Sequence, residues 1–194
     1  MRELALHLLD LAQNSLAAGA SHLRIEIRLD ASADRLNMTV RDDGRGIPPE
    51  ILARATDPFV TTRKTRRVGL GLSLLAAAAE RAEGGLSIES REGEGTTVTA
   101  TFRASSIDRA PLGDLAGTVV ALLACNPGLE LELVASWDGM EFTFSTANWR
   151  EEFGERGSPP EPSLLIRLRE HLRAGLADLR RAEEVAAGPQ RRDN

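Results

Sequence analysis

The sequence predicts a two-layer α/β sandwich, in which helices cover one face of a mixed β-sheet. Two observations support this prediction. In the first hundred residues, two segments carry apolar residues at helical spacing, and several shorter segments alternate apolar with polar residues. An amphipathic helix and a half-buried strand each have one apolar side, and packing those sides together in two layers buries both.

The first part of the chain is predicted to form a helix, two strands, a second helix and two further strands. The first helix is amphipathic, the strands alternate apolar with polar residues, and the second helix is rich in Ala and ends at Gly84-Gly85. These elements cover residues 2 to 18, 22 to 29, 36 to 41, 72 to 82, 86 to 91 and 96 to 102.

A connector, residues 104 to 110, leads to a smaller C-terminal unit that we predict to be α+β. Asp138-Gly139 lies between two alternating segments and is typical of a hairpin turn. The predicted helix, two strands and last helix cover residues 111 to 125, 129 to 136, 140 to 146 and 163 to 181. The expected organisation is thus a domain of residues 1 to 104, a unit of residues 111 to 182 and a disordered tail of residues 183 to 194.

The residues of the C-terminal unit indicate no chemistry of their own. Its aromatic side chains fit the core of the unit, and the alternative is a small partner-binding surface. These residues are Trp137, Phe142, Phe144 and Trp149.

Composition narrows the classes of function. The net charge is −5, from 24 basic and 29 acidic residues, whereas a nucleic-acid-binding protein usually has a basic surface. The longest apolar run, near residues 68 to 79, is too short to span a bilayer. Glu3, His7 and Asp10 interrupt the apolar segment that a secretion signal needs. We therefore expect a cytoplasmic protein that binds neither nucleic acid nor membrane.

Asn14 lies in an apolar helical segment, where a short amide that competes for backbone hydrogen bonds is unfavourable. Magnesium offers a reason, because this ion prefers oxygen ligands and usually takes only one or two from the protein beside phosphates. Asp10, one helical turn earlier, shares the same side of the helix. Its carboxylate would orient or deprotonate a hydroxyl or water that attacks a terminal phosphate. The alternative for both residues is an N-cap or a solvated polar stripe.

Two glycine-containing motifs follow. Asp42-Asp43-Gly44-Arg45-Gly46 comes directly after the second predicted strand, and a carboxylate beside glycines suits an adenine ring whose amino group donates to Asp42. Gly69-Leu70-Gly71 opens the Ala-rich helix with bare backbone amides, where phosphates are favoured. The alternatives are an ordinary Asp-Gly turn and a glycine packing turn.

In combination, these motifs resemble those of the ATPase superfamily shared by DNA gyrase, the ninety-kilodalton heat-shock chaperone, sensor histidine kinases and the MutL mismatch-repair protein. The resemblance covers about residues 1 to 103. Gln13-Asn14-Ser15-Leu16-Ala17-Ala18-Gly19-Ala20 is similar to the MutL version of the first motif. Three later segments are similar to the histidine-kinase versions: Asp57-Pro58-Phe59-Val60-Thr61-Thr62, Gly69-Leu70-Gly71-Leu72-Ser73-Leu74 and Glu92-Gly93-Glu94-Gly95-Thr96-Thr97-Val98.

The resemblance implies a Bergerat-type fold that binds ATP with magnesium. Residues 48 to 68 would form a lid over the nucleotide. The lid contains the basic cluster of residues 63 to 67, which either neutralises phosphates or belongs to a solvated loop. In the implied site, Asn14 is the magnesium ligand. Asp42, Gly44 and Gly46 form the adenine pocket, in which Thr96 supports the aspartate. Gly69, Leu70 and Gly71 bind the phosphates.

Three departures from the family pattern concern activity. Asp10 stands where the ATP-hydrolysing relatives and the anti-sigma-factor kinases have a glutamate, so its carboxylate is one methylene shorter. Arg67-Val68 replaces the Gly-Thr that often precedes the kinase glycines. We expect no dimerising hairpin with a phospho-acceptor histidine before the ATPase motifs. His171 lacks the usual acidic neighbour on its C-terminal side, so we interpret it as a surface or interface residue.

Two classes of function remain. The first is an ATP-dependent protein kinase, like the histidine kinases or the serine-phosphorylating anti-sigma factors, that acts on a separate protein partner. The second is a nucleotide-sensing module with little or no turnover, in which ATP orders the lid and changes what the C-terminal unit binds. Asp10 separates them, because only the first class needs a catalytic carboxylate. Both classes leave open whether the protein forms a homodimer.

Overall fold

The computed structural model describes residues 3 to 54, 70 to 149 and 160 to 188. The strands in these ranges are β1 (His22–Asp30), β2 (Arg35–Asp42), β3 (Gly85–Arg91), β4 (Gly95–Arg103), β5 (Glu130–Trp137) and β6 (Met140–Ser145). The helices are α1 (Leu4–Ala17), α2 (Pro49–Leu52), α3 (Leu70–Arg81), α4 (Leu115–Cys125), α5 (Pro162–Gly175) and α6 (Ala177–Ala186). Within the same ranges, no helix combines the length and the apolar character that a membrane span requires.

The strands form one six-stranded sheet of order β3-β4-β2-β1-β5-β6. It is mixed, because β1 pairs with β5 in parallel while its pairing with β2 is antiparallel. Helix α1 contacts β2, α3 contacts β3 and β4, and α6 contacts β1 and β5. Alternate residues of β1, such as Ile25 and Ile27, are fully buried, whereas Arg24 and Arg28 are exposed. The predicted sandwich, a mixed sheet with helices on one face, is confirmed.

The sheet continues across the boundary that we predicted near residue 104. Strand β5 comes from the predicted C-terminal unit, yet its Leu131 and Leu133 lie beside Leu23 and Ile25 of β1, and all four side chains are buried. This pairing also covers an edge of β1 that would otherwise present unpaired backbone groups. Both segments therefore share one sheet, and the division into separate domains stays a prediction.

The connector takes part in packing. The backbone carbonyls of Pro111 and Leu112 accept hydrogen bonds of 2.9 Å from the amides of Leu4 and Ala5. These bonds satisfy amides at the start of α1 that have no partner within the helix. Next, the Asp114 carboxylate accepts a 2.9 Å hydrogen bond from the Gly117 amide. This cap is the reason that α4 begins at Leu115 and not at the predicted residue 111.

The C-terminal helical region differs from the prediction in two respects. Helices α5 and α6 replace the single helix predicted over residues 163 to 181. Residues 183 to 186, which we assigned to a disordered tail, are helical, and residues 189 to 194 lie outside the described ranges. The helix continues because Glu183 is buried against the connector, where its carboxylate accepts hydrogen bonds from the Arg109 guanidinium and the Leu112 amide. The spacing of residues within the helix gives no sign of this contact, because its partners lie in the connector.

The aromatic residues divide into two groups. Trp137 and Phe144 are buried, so the core prediction is confirmed for them. Phe142 and Trp149 are half-buried and lie around the exposed ring of His171, with ring centroids 5.7 and 5.1 Å from it. The predicted surface position of His171 is also confirmed.

Candidate functional site

The candidate site lies at one end of the sheet, under α1. Three polar residues occupy neighbouring strands in one row there: Ser90 on β3 pairs with Thr96 on β4, and Thr96 pairs with Asp42 on β2. Each is two residues from an apolar residue of its own strand that packs into the core, so all three lie on the face that the helices cover. Ser15 reaches the same row from α1.

Asp42 is the most strongly fixed member of this row. Its side chain is buried, and Oδ1 accepts hydrogen bonds from the Gly44 amide at 2.9 Å and the Thr96 amide at 3.2 Å. Its Oδ2 accepts a 2.6 Å hydrogen bond from the Ser15 hydroxyl. Since each carboxylate oxygen has two acceptor positions, Oδ1 is saturated and Oδ2 keeps one. The carboxylate is therefore held ready for a single donor from a ligand.

The adjacent carboxylate, Asp43, is engaged elsewhere. It accepts hydrogen bonds of 2.8 Å from the amides of Ser21 and His22, one of 2.8 Å from the Ser21 hydroxyl, and one of 2.7 Å from the His22 ring. Partial burial raises the pKa of Asp43, but the hydrogen bonds from His22 and Ser21 outweigh it and hold that pKa well below its usual value. Of the two motif aspartates, only Asp42 faces the site.

Glycines bring the turn between β3 and β4 close to Asp42. A Cβ atom on Gly46 would lie 2.0 Å from the Arg91 carbonyl oxygen, and one on Gly95 would lie 2.0 Å from the Asp42 carbonyl oxygen. Both glycines also have positive φ, +70° and +102°, which other residues rarely adopt. Gly44 is less crowded, since a Cβ atom there would be 3.0 Å from the Ala18 methyl and from Asp42 Oδ1.

Asp10, Asn14 and Gly71 meet at a second part of the site. A Cβ atom on Gly71 would lie 1.7 Å from Oδ2 of Asp10 and 3.6 Å from Nδ2 of Asn14. The bare backbone at the start of α3 therefore faces both polar side chains of α1. A larger residue at position 71 would displace the Asp10 carboxylate. The structure thus brings together three of the residues that the sequence singled out from two separate motifs.

The remaining predicted site residues are only partly described. Leu70 begins α3, and Gly69 lies outside the described ranges together with the basic cluster of residues 63 to 67. Of the predicted lid, residues 48 to 54 are described and include the short helix α2. The lid itself stays a prediction.

Sequence reasoning missed two residues of the site, Ser15 and Ser90. The signal for Ser15 is the same as for Asn14, because it is a small polar residue on the buried side of an apolar helix. The signal for Ser90 is its position in the alternation of β3, where it shares the inward side with Ile88. A polar residue at an inward position needs a hydrogen-bond partner, and both serines have one in the site.

Comparison with known proteins defines the class. The family model described as "Histidine kinase-, DNA gyrase B-, and HSP90-like ATPase" matches residues 2–106, and the chain belongs to this family. A Rickettsia bellii protein named as an NtrY-like sensor histidine kinase is 34% identical over 102 residues, which are 53% of this chain and 16% of that protein. Sensor protein kinase FleS of Pseudomonas aeruginosa is 42% identical over 91 residues, 47% of this chain and 22% of that protein.

The chain thus spans less than a quarter of the length of these two relatives. A solved structure, the N-terminal domain of a DNA repair protein, superposes with a TM-score of 0.49 at 15% identity and covers 81% of this chain and 54% of that one.

Proposed function

We propose that the chain binds ATP with magnesium and transfers the terminal phosphoryl group to a separate protein, as a kinase of the histidine-kinase-like or anti-sigma-factor-like type. The observation that carries this proposal is the buried Asp42 carboxylate, which three donors fix and which keeps one acceptor position. The exocyclic amino group of adenine supplies the matching donor. Membership of the ATPase family supports the same assignment.

The second part of the site fits magnesium-bound phosphates. Its side chains, Asn14 and Asp10, offer the oxygen atoms that magnesium prefers. Gly71 leaves the backbone at the start of α3 bare, so a phosphate can approach a helix N-terminus, where negative charge is favoured. We assign Asn14 as the magnesium ligand. When bound, magnesium neutralises charge on the phosphates.

Asp10 is the proposed catalytic residue. Its carboxylate lies against Gly71 and beside Asn14, so it is next to the proposed phosphate position. From there it would orient an attacking hydroxyl of the target protein and accept the proton that the hydroxyl releases. For an attacking imidazole, whose reacting nitrogen carries no proton, it would only orient the ring. Aspartate is one methylene shorter than the glutamate of the ATP-hydrolysing relatives, so the attacking group has to come closer to the α1 backbone.

One observation favours the second candidate, a nucleotide-sensing module. The His22 ring bridges Asp43 at 2.7 Å and Glu130 at 2.9 Å, and the hydrogen bond with Asp43 raises the pKa of His22 above its usual value. Asp43 follows the proposed adenine ligand directly, and Glu130 begins β5. A change in the adenine pocket can therefore reach the start of β5 through the contacts of Asp43, His22 and Glu130.

Phosphoryl transfer from terminally labelled ATP distinguishes the two candidates. We expect the purified chain to label itself negligibly, because His171 lacks the context of an acceptor, and to label a partner protein from the same operon. Phosphohistidine is lost in acid whereas phosphoserine survives, so an acid wash separates the two kinase types. The Asp42→Asn chain is the control that should transfer no label.

Two results would contradict the kinase proposal as stated. Strong self-labelling that His171→Ala abolishes would make the chain its own substrate. Absence of label with every partner, combined with tight ATP binding and ATP-dependent protection of residues 48 to 68 from protease, would establish the sensing module instead.

A further inference from the structure

We propose that Ser90 determines which base the site accepts, because it fixes the direction of the hydrogen bonds around Asp42. The inference rests on the proposed function, since it concerns the adenine pocket of the same site. Ser90 lies outside the motifs that define the site, and no role has been assigned to it so far. Its hydroxyl group nevertheless makes three contacts at the end of the sheet.

The contacts of Ser90 determine where its single proton goes. Its Oγ accepts a 2.8 Å hydrogen bond from the Ile47 amide and donates one of 2.8 Å to the Gly95 carbonyl. A serine hydroxyl has only one proton to donate. Geometry alone allows either oxygen to donate in the 2.9 Å contact between Ser90 Oγ and Thr96 Oγ1. With the Ser90 proton assigned to the Gly95 carbonyl, which can only accept, Thr96 is the donor.

The same counting applies to the other hydroxyl beside Asp42. Ser15 donates its proton to Asp42 Oδ2, and Thr96 donates its proton to Ser90. Both hydroxyl protons are thus used within the protein, and the oxygens of Ser15, Thr96 and Asp42 keep only acceptor positions. Thr96 lies directly opposite Asp42 in the pairing of β2 with β4, so these acceptors border one position.

Among the residues that the structure describes, the acceptors of Ser15, Thr96 and Asp42 border this position, and such an arrangement selects a ligand that presents a donor. The amino group of adenine supplies that donor at C6, whereas hypoxanthine and guanine place a further acceptor, the C6 oxo group, at the same position and carry their nearest proton on the neighbouring N1. Unpaired polar groups in such a site are costly, and this type of mismatch gives strong discrimination between ligands. Removing Ser90 would free the Thr96 hydroxyl to turn its proton toward an oxo group.

The test is the ratio of the dissociation constants of ITP and ATP, measured by calorimetry with magnesium. In Ser90→Ala we expect this ratio to fall by roughly three- to tenfold, the equivalent of about one hydrogen bond. Ser90→Thr keeps a hydroxyl and should keep the wild-type ratio. Ser87→Ala, at an exposed position of the same strand, is the matched control and should also keep it.

The outcomes separate this inference from the proposed function. A purely structural role of Ser90 would weaken ATP and ITP equally, and an unchanged ratio would overturn the inference while ATP binding stands. Failure of the wild-type chain to bind ATP would overturn both.

Discussion

Replacement of Asp10 by Asn is expected to lower turnover of ATP by roughly 10²–10⁴-fold, the usual contribution of a positioned base. The amide has nearly the same shape as the carboxylate, so it still fits against Gly71, but it cannot accept the proton of the attacking group. ATP affinity should stay close to that of the wild type. The measurements are labelled phosphate transfer or release for turnover and calorimetry for binding.

Two neighbouring variants serve as controls for Asp10→Asn. Asn14→Ala should show the opposite pattern, a loss of magnesium-dependent affinity, because it removes the proposed metal ligand. Gln13→Ala changes an exposed position of the same helix and should alter neither quantity. If Asp10→Asn retains full turnover, Asp10 is a structural residue and its catalytic role is wrong.

Replacement of Glu183 by Ala is expected to lower the free energy of unfolding by about 3–5 kcal/mol, the usual result of breaking a buried ion pair by removing one partner. The Arg109 side chain is fully buried, and its Nη1 lies 2.8 Å from the Glu183 carboxylate. Without that carboxylate, a buried positive charge is left without compensation, and the Leu112 amide loses its 2.9 Å acceptor. Urea unfolding followed by circular dichroism measures the difference.

Glu184→Ala is the matched control, because it removes a carboxylate from the next, exposed position. Surface substitutions of this kind usually change stability by less than about 0.5 kcal/mol. Glu183→Gln keeps an acceptor without the charge and should fall between the two. Equal unfolding midpoints for Glu183→Ala and Glu184→Ala would show that the last helix is not fixed through Arg109.

Most helices and strands could be predicted because each follows from the spacing of residues that are close together in the sequence. The alternation of β2 places Met38, Val40 and Asp42 on one side of the strand, and this agrees with the choice of Asp42, from its position beside the glycines, as the carboxylate for adenine. The helical spacing of Asp10 and Asn14 similarly predicted that both side chains share one side of α1, and Gly71 faces both of them.

The sequence could not predict which distant segments of the chain pair with each other. The parallel pairing of β1 with β5 joins segments more than a hundred residues apart, and neither strand carries a signal for its partner. The buried pair of Arg109 and Glu183 is equally non-local, so each residue read alone suggests a solvent-exposed charge. The hydrogen bonds of Ser90 depend on two turns that only the fold brings together.

Calorimetric titration with a non-hydrolysable ATP analogue, comparing Asp42→Asn with Asp43→Asn, tests the nucleotide site most directly. The two variants make the same chemical change at adjacent residues, but only Asp42 keeps an acceptor position for a ligand. Asp42→Asn should weaken binding by about 1–3 kcal/mol or more, because its amide group presents donors to the adenine amino group. Asp43→Asn should bind as the wild type does. Unchanged affinity in Asp42→Asn would contradict the assignment of this pocket to adenine.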